Sequence, residues 1–124
     1  MYNRTLILLT MNGHLLTGRT GEEIAEKYLQ AQGYSMLGRN VKTGRGEVDL
    51  IAKKDGVIVF VEVKARTKND GFAPSDRINP AKVQRLLGAA ELWLSKQSEE
   101  FPARIDVIGV CEGRVVEHYE DITS

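Results

Sequence analysis

The chain has 124 residues, of which 42% are hydrophobic and 27% charged, and its 17 basic and 17 acidic residues cancel to a formal net charge of zero. This length fits one compact domain, the composition excludes wholesale disorder, and the single cysteine excludes an internal disulfide framework and a cysteine-built metal site. The neutrality hides two opposed windows, because residues 39–85 carry eleven basic and six acidic residues whereas residues 86–124 carry three basic and eight acidic ones. A locally basic window is typical of a protein that binds a polyanion, although a solvated surface without a partner is the simpler explanation of charge alone.

Residues 1–17 are interpreted as an N-terminal extension and residues 18–124 as a single domain. Within the extension, a short apolar run at residues 5–11 is followed by no small-residue cleavage site, which argues against a signal peptide. No segment approaches the roughly 18 apolar residues that a membrane span needs. We therefore expect no membrane partner and a cytoplasmic location.

The first predicted element is a helix over residues 21–32. Thr20 and Glu23 fit a capping box at its start, and Gly33 supplies a C-terminal stop. Glu22 lies at the edge of the apolar arc of this helix, which places a carboxylate beside the buried face. The arc itself consists of Ile24, Ala25, Tyr28, Leu29 and Ala31.

A strand near residues 34–39 and then a clear β-hairpin are predicted next. Residues 47–52 alternate in polarity, residues 53–56 have turn chemistry, and residues 57–64 form a β-branched run. The valines at 57, 59, 61 and 63 therefore share one face of the second hairpin strand, and the residues between them share the other.

A polar loop over residues 65–79 leads to a second helix. Asn79 is its predicted N-cap, Pro80 lies in its first turn, and the helix is predicted to end at about residue 96. Its buried stripe is predicted to consist of Val83, Leu86, Leu87, Ala90, Trp93 and Leu94. Two further strands, over residues 104–111 and 114–119, are joined by a turn. The order α-β-β-β-α-β-β predicts an α/β fold with a mixed β-sheet flanked by helices.

Glu62 and Lys64 are anomalous in the apolar second strand of the hairpin. Placing a charge in the middle of a sheet costs several kcal/mol unless the charge is paired or binds a metal. The antiparallel hairpin brings the face of Asp49 against the same region, so the three side chains converge. A structural salt bridge between Glu62 and Lys64, with Asp49 as a turn residue, explains the spacing about equally well.

Two adjacent carboxylates repel each other, and a hard divalent cation such as Mg²⁺ removes that conflict because it prefers oxygen ligands. Such a cation polarises a phosphoryl oxygen and activates a water as a nucleophile. A neighbouring lysine stabilises the developing charge or orients that water. Two carboxylates, a lysine and Mg²⁺ are thus the groups needed to hydrolyse a phosphodiester.

Gly46-Glu-Val-Asp49, followed after twelve residues by Glu62-Val-Lys64, resembles the PD-(D/E)xK signature of restriction-endonuclease-like nucleases. The wider pattern narrows this resemblance to the YraN family, a bacterial group of predicted endonucleases similar to archaeal Holliday junction resolvases. That pattern covers about residues 18–110 and includes Gly21-Glu22, Gly33-Tyr34, Arg39-Asn40, Gly46–Ala52, Val59–Arg66, Lys82 and Asp106-Val-Ile108.

The resemblance implies a restriction-endonuclease-like core that depends on Mg²⁺ or Mn²⁺ and acts on nucleic acid. Carried over by position, Asp49, Glu62 and the backbone carbonyl of Val63 would bind the metal, Lys64 would be the catalytic lysine, and Glu22 would complete the acidic cluster directly or through water. The proline that usually precedes the aspartate is replaced by Val48, which removes no ligand.

The resemblance also implies that Lys82, at the flank of the second helix's apolar stripe, contacts phosphate or the active site rather than only solvent. Further basic residues are candidates for contacts to the nucleic-acid backbone, although each by itself is better explained by a solvated surface charge. They are Arg39, Lys42, Arg45, Arg66, Lys68, Arg77 and Arg85.

Three other polar residues are given structural roles. Asp106 matches the family pattern, but on a central strand a hydrogen-bonding role in the fold is at least as probable as catalysis. His118 lacks metal-ligand spacing and is expected to be either structural or solvent-exposed, and Cys111 in a β run is typical of a small core residue.

The expected function is therefore that of a Mg²⁺- or Mn²⁺-dependent endonuclease that cleaves DNA, with branched or junction DNA among its substrates, and a homodimer is its expected assembly. A non-catalytic nucleic-acid-binding module with the same fold is the alternative, and it predicts salt-sensitive binding without turnover. A third interpretation is a protein–protein adaptor that uses the acidic final window.

Overall fold

The computed structural model describes residues 20–66 and 79–123. Helix α1 spans Gly21–Ala31 and begins with the predicted capping box, in which the Thr20 hydroxyl accepts the Glu23 N–H and the Glu23 carboxylate accepts the Thr20 N–H. Gly33 has φ +97° just after the C-cap, a conformation that glycine adopts without a steric cost. The predicted start and end of this helix are confirmed.

Three antiparallel strands follow: β1 (Ser35–Thr43), β2 (Gly46–Lys54) and β3 (Val57–Arg66). The β2–β3 turn consists of Asp55 and Gly56, both with positive φ, which suits a two-residue hairpin. Strand β1 is longer than the predicted strand at 34–39 because it continues to Thr43 through Asn40, which has a positive φ of +48°, and it also contains a register shift between Met36 and Gly38. Such an irregularity leaves no mark in a polarity pattern.

Helix α2 (Pro80–Ser95) connects β3 to β4 (Ala103–Cys111), and β4 pairs with β3 in parallel. Parallel neighbours need a crossover of this kind. Strand β5 (Arg114–Tyr119) pairs with β4 and forms the edge of the sheet opposite β1. The sheet order is β1-β2-β3-β4-β5, so the predicted mixed sheet with flanking helices is confirmed. Neither helix in the described part of the chain is long and apolar enough to span a membrane.

The core has two layers, one on each face of the sheet. The α1 layer contains buried residues of α1 and alternate residues of the central strands: Ala25, Leu29, Tyr34, Leu50, Ala52, Val59, Val61, Ile108 and Val110. The α2 layer contains Val48, Ile51, Ile58, Phe60, Leu86, Ala89, Ala90 and Ile105. Ala31 was expected in the buried arc of α1, but it is exposed because it is the last residue of the helix.

Candidate active site

Strands β2 and β3 separate at one end of the hairpin. Their pairing runs from Lys54↔Val57 to Leu50↔Val61 and stops there, although β2 continues to pair with β1 as far as Gly46. The Asp49 carboxylate enters the opening, and its Oδ2 accepts the backbone N–H of Val63 at 2.8 Å. Because the N–H and C=O of one strand residue point to the same side, the Val63 carbonyl also faces the opening.

The chain geometry on either side of Asp49 explains why β2 turns away from β3. Val48 packs in the α2 layer and Leu50 in the α1 layer, so the strict alternation of β2 fails between them. Gly46, with φ +147°, brings the start of β2 against α2, where a Cβ on it would lie 3.4 Å from the carbonyl oxygen of Arg85. The hairpin end is thus held on α2, and Asp49 is directed into the opening.

Glu62 lies on the α2 face of β3, and its side chain is 10% exposed. Its carboxylate forms an ion pair with Lys82, which lies in the first turn of α2 below the Asn79 cap. Lys64, two residues along the same face, lines the same small cavity as Glu62 and Lys82. The rest of the cavity wall is largely apolar and is formed by Asn79, Val83, Leu86, Val107 and Ile122.

The acidic groups of the site influence one another. Burial raises the pKa of Asp49 and the Val63 N–H lowers it, while the charges of Glu62 and Glu22 raise it and that of Lys82 lowers it, giving a value of about 6. Glu22 therefore belongs to the same electrostatic neighbourhood, as its place on α1 predicted. The start of α1 lies close to β3 because residue 21 is glycine: a Cβ on Gly21 would lie only 3.0 Å from the Ala65 Cβ on β3.

These residues offer the donors that a hard divalent cation prefers, namely carboxylate and carbonyl oxygens. Within residues 20–66 and 79–123, no three histidine, cysteine or acidic side chains lie together in a ready-made cluster, because Asp49 is turned to Val63 and Glu62 to Lys82. Burial is the main reason why the pKa of Asp49 is raised, and the negative charges of Glu62 and Glu22 raise it further. A cation at the opening between β2 and β3 would offset those charges, so the donor set fits.

The residues predicted to contact nucleic acid have different partners in the structure. Arg45, in the β1–β2 turn, forms an exposed ion pair with Glu91 of α2 at 3.3 Å, and Arg85 is exposed one turn after Lys82. Arg39 is held by Glu26 of α1 in a bidentate ion pair. Arg66 ends β3, whereas Lys68 and Arg77 lie outside the described residues.

A second polar cluster lies on the α1 face of β4, and sequence analysis found only part of it. Asp106 is fully buried and accepts hydrogen bonds from Arg104 Nε at 3.0 Å and from the Asp121 N–H at 2.9 Å, and it also contacts His118 Nε2 at 2.8 Å. His118 Nδ1 contacts the Tyr28 hydroxyl at 2.9 Å. These contacts satisfy the buried carboxylate, so the structural roles expected for Asp106 and His118 agree with their environment.

Arg104 was not recognised from the sequence. Its guanidinium also donates to the Tyr34 hydroxyl at 2.8 Å, which ties β4 to the segment after α1. The spacing of Arg104 and Asp106, two residues apart on one strand face, was the available signal. Its partner Tyr34, however, is 70 residues away in sequence, and no local pattern indicates it.

Sequence similarity to known proteins assigns the chain to a family. The model of the family described as "Uncharacterised protein family UPF0102" matches residues 21–110. A UPF0102 protein of Flavobacterium psychrophilum is 36% identical over 114 residues, which cover 90% of this chain and 96% of that protein. UPF0102 proteins of Chlorobium chlorochromatii and Ralstonia pickettii are 40% and 43% identical, over 84% and 80% of this chain and 88% and 83% of theirs. The expected YraN-type membership is confirmed, and this chain belongs to the UPF0102 family.

Proposed function

We propose that this protein is a divalent-metal-dependent endonuclease with a restriction-endonuclease-like core, and that it hydrolyses phosphodiester bonds in DNA, branched or junction DNA included. The observation that supports this most directly is the partly buried Asp49 carboxylate where β2 and β3 separate, whose pKa is raised by burial and by the charges of Glu62 and Glu22. Lys82 pairs with Glu62, and Lys64 lines the cavity beside them. The mixed sheet flanked by helices is compatible with such a core.

The proposed roles follow from the positions of the groups. Asp49, Glu62 and the Val63 carbonyl would hold Mg²⁺ or Mn²⁺, with Glu22 acting directly or through water. The cation would supply Lewis-acid polarisation of a phosphoryl oxygen and a bound water of lowered pKa. Lys64, on the same strand face as Glu62, orients the attacking water or offsets the charge that develops on the phosphate.

A purely structural role for these charges is the competing explanation, and Asp49 distinguishes the two. The ion pair of Glu62 with Lys82 is a stabilising arrangement that many folds contain. Asp49 is different because burial and two neighbouring carboxylates raise its pKa to about 6, so its ionised form opposes folding. Groups that are unfavourable for stability and converge at a strand end are typical of functional sites.

The experiment is a cleavage panel with labelled duplex, nicked, flapped and four-way DNA, each with Mg²⁺, with Mn²⁺ and with a chelator. We expect metal-dependent cleavage of at least one shape, reduced by about a hundredfold or more in Glu62→Gln and Lys64→Ala. Lys96→Met, which removes a lysine from the distant end of α2, is the matched control and should cleave like the wild type.

Each alternative has its own signature in the same panel. If the wild type cuts none of the four shapes with either metal, the endonuclease proposal is wrong. Cleavage that persists in Glu62→Gln refutes the site assignment. Salt-sensitive DNA binding that is unaffected by metal and gives no product supports the non-catalytic nucleic-acid-binding module instead.

A further inference from the structure

The lysine that holds Glu62 comes from α2 and not from the strand that carries Glu62. Lys82 forms the ion pair, whereas Lys64 lines the cavity beside it. Lys82 is 20 residues away in sequence and lies on a different element. One positive charge therefore already occupies the carboxylate that would bind a cation.

We propose that Lys82 is an exchangeable counter-ion, which competes with the divalent cation for Glu62 and is drawn away from it by a phosphate of the bound nucleic acid. The inference rests on the proposed function, because it assigns a cation to Glu62 and a polyanion to the same site. It makes Lys82 a positioning residue that couples the binding of the two ligands.

Burial makes the counter-ion necessary. The Glu62 side chain is only 10% exposed, and a buried carboxylate without a partner is costly. In the absence of a cation, the ammonium of Lys82 supplies that partner. A divalent cation that binds Glu62 must therefore either displace Lys82 or bind while the positive charge of Lys82 repels it. Both effects weaken the affinity of Glu62 for the cation.

The geometry of Lys82 also allows it to exchange partners. Its side chain is 38% exposed, so solvent reaches it while Glu62 stays covered. Its backbone N–H is fixed by the Asn79 side chain at 3.3 Å, which leaves a long flexible stem to carry the ammonium. A phosphate arriving at the opening between β2 and β3 offers Lys82 a second anion and releases Glu62 to the cation.

Exchange of this kind predicts cooperative binding. A ligand that removes Lys82 from Glu62 raises the affinity for the cation, and by linkage the cation raises the affinity for that ligand by the same factor. The cation and the nucleic acid then assemble together, so the protein holds little tightly bound metal when no nucleic acid is present.

The test is a calorimetric titration with Mn²⁺, for the protein alone and for the protein saturated with a short phosphorothioate duplex that resists hydrolysis. For the protein alone, Lys82→Met should bind Mn²⁺ about tenfold more tightly than the wild type, because a competing positive charge is gone. In the wild type the duplex should raise Mn²⁺ affinity about tenfold, and in Lys82→Met most of this gain should disappear.

Two variants control for charge and folding. Lys82→Arg keeps the positive charge and should restore the weak Mn²⁺ binding and the coupling of the wild type. Lys96→Met makes the same change in net charge at the C-cap of α2 and should leave both unchanged. Thermal melting of each variant establishes that the folded protein is being titrated.

The outcomes separate the inference from the proposed function. Unchanged Mn²⁺ affinity in Lys82→Met, with wild-type binding that Asp49→Asn abolishes, overturns the role of Lys82 and leaves the metal site standing. If the wild type binds no Mn²⁺ even with the duplex, the metal site itself is wrong and the proposed function fails. Tighter binding and lost coupling in Lys82→Met, restored by Lys82→Arg, support the exchange.

Discussion

The Asp49 carboxylate accepts the backbone N–H of Val63 at 2.8 Å, just beyond the last paired residues of β2 and β3. A side-chain oxygen thus replaces the strand partner that the ladder no longer provides. The strands remain open at this point without an unsatisfied donor, and the opening keeps a carboxylate and a carbonyl directed into it.

Replacing Asp49 by asparagine should change the free energy of unfolding of the protein. Asparagine keeps an acceptor for the Val63 N–H and removes the charge that Glu62 and Glu22 repel. At about pH 7.5, which is about 1.5 units above the folded pKa of Asp49, we expect the variant to be more stable than the wild type. The gain should be about 1 kcal/mol after allowance for solvent screening of this partly exposed group, measured by urea unfolding.

The pH dependence of that difference has a definite sign. The pKa of Asp49 is about 6 in the folded protein, above its usual value of about 3.9, so the folded state binds a proton more tightly. The stability that the protonated Asp49 carboxyl contributes is therefore complete below about pH 4 and is lost as pH rises through about 6. Wild type and Asp49→Asn should therefore have similar stability near pH 4 and diverge above it; a constant difference would contradict this account.

Asp106 is expected to behave in the opposite way. Burial alone would raise its pKa, but hydrogen bonds from His118, Arg104 and the Asp121 N–H outweigh burial and lower it. Its contribution to stability is present above about pH 4 and is lost as pH falls through the lower folded value. Asp106→Asn should cost about 3 kcal/mol at neutral pH because it leaves the largely buried guanidinium of Arg104 without its carboxylate partner.

The same variant separates a structural role from a catalytic one. If Asp106 acts only in the fold, Asp106→Asn should melt at a lower temperature yet bind Mn²⁺ normally below its melting transition. Calorimetry at a temperature well below that transition measures this directly. Loss of Mn²⁺ binding by the folded variant would show that Asp106 belongs to the metal site.

Gly46→Ala tests the anchoring of the hairpin. Gly46 has φ +147°, and a Cβ there would lie 3.4 Å from the Arg85 carbonyl oxygen, so alanine should cost about 1–3 kcal/mol. Gly44→Ala is the matched control, because its Cβ would meet only Leu92 at an ordinary 3.7 Å. Chemical unfolding of both variants measures the difference, and equal stabilities would show that Gly46 is not required.

Gly88→Ala should be neutral or slightly stabilising. The new Cβ would lie 2.9 Å from Arg45 Nε, but this guanidinium is the mobile end of an exposed side chain and its ion pair with Glu91 is worth little. Alanine gains up to about 1 kcal/mol of helix propensity over glycine. A clear loss of stability on thermal melting would mean that the Arg45 contact holds the hairpin on α2.

Features with local causes were predictable from the sequence. Thr20 and Glu23 mark the start of α1, Asn79 and Pro80 mark that of α2, and each of these signals acts within one helical turn. The turn at Asp55-Gly56 was equally visible, since it needs residues that tolerate positive φ. The order of elements and the two faces of β3 followed from these local signals and from the alternation of polarity.

Contacts distant in sequence were not predictable. The anomaly of Glu62 was recognised from its apolar strand, and the structural alternative paired it with Lys64. Its ion-pair partner in the structure is instead Lys82. That choice depends on how α2 packs across the sheet, which no spacing encodes. Arg104, which bonds to both Asp106 and Tyr34, was not recognised for the same reason.

The parallel pairing of β3 with β4 also has a consequence for how the protein matures. Glu62 pairs in register with Val107 and Lys64 with Gly109, so this end of β3 is fixed in the sheet only after the chain has crossed over through α2 and returned. Pairings so distant in sequence form late because loop closure must precede them. The Asp49–Val63 contact belongs to the local hairpin and can form early. A nascent or partly unfolded chain can therefore carry the hairpin and its Asp49–Val63 contact before β3 has its partner β4, and the proposed metal centre would be complete only in the finished domain.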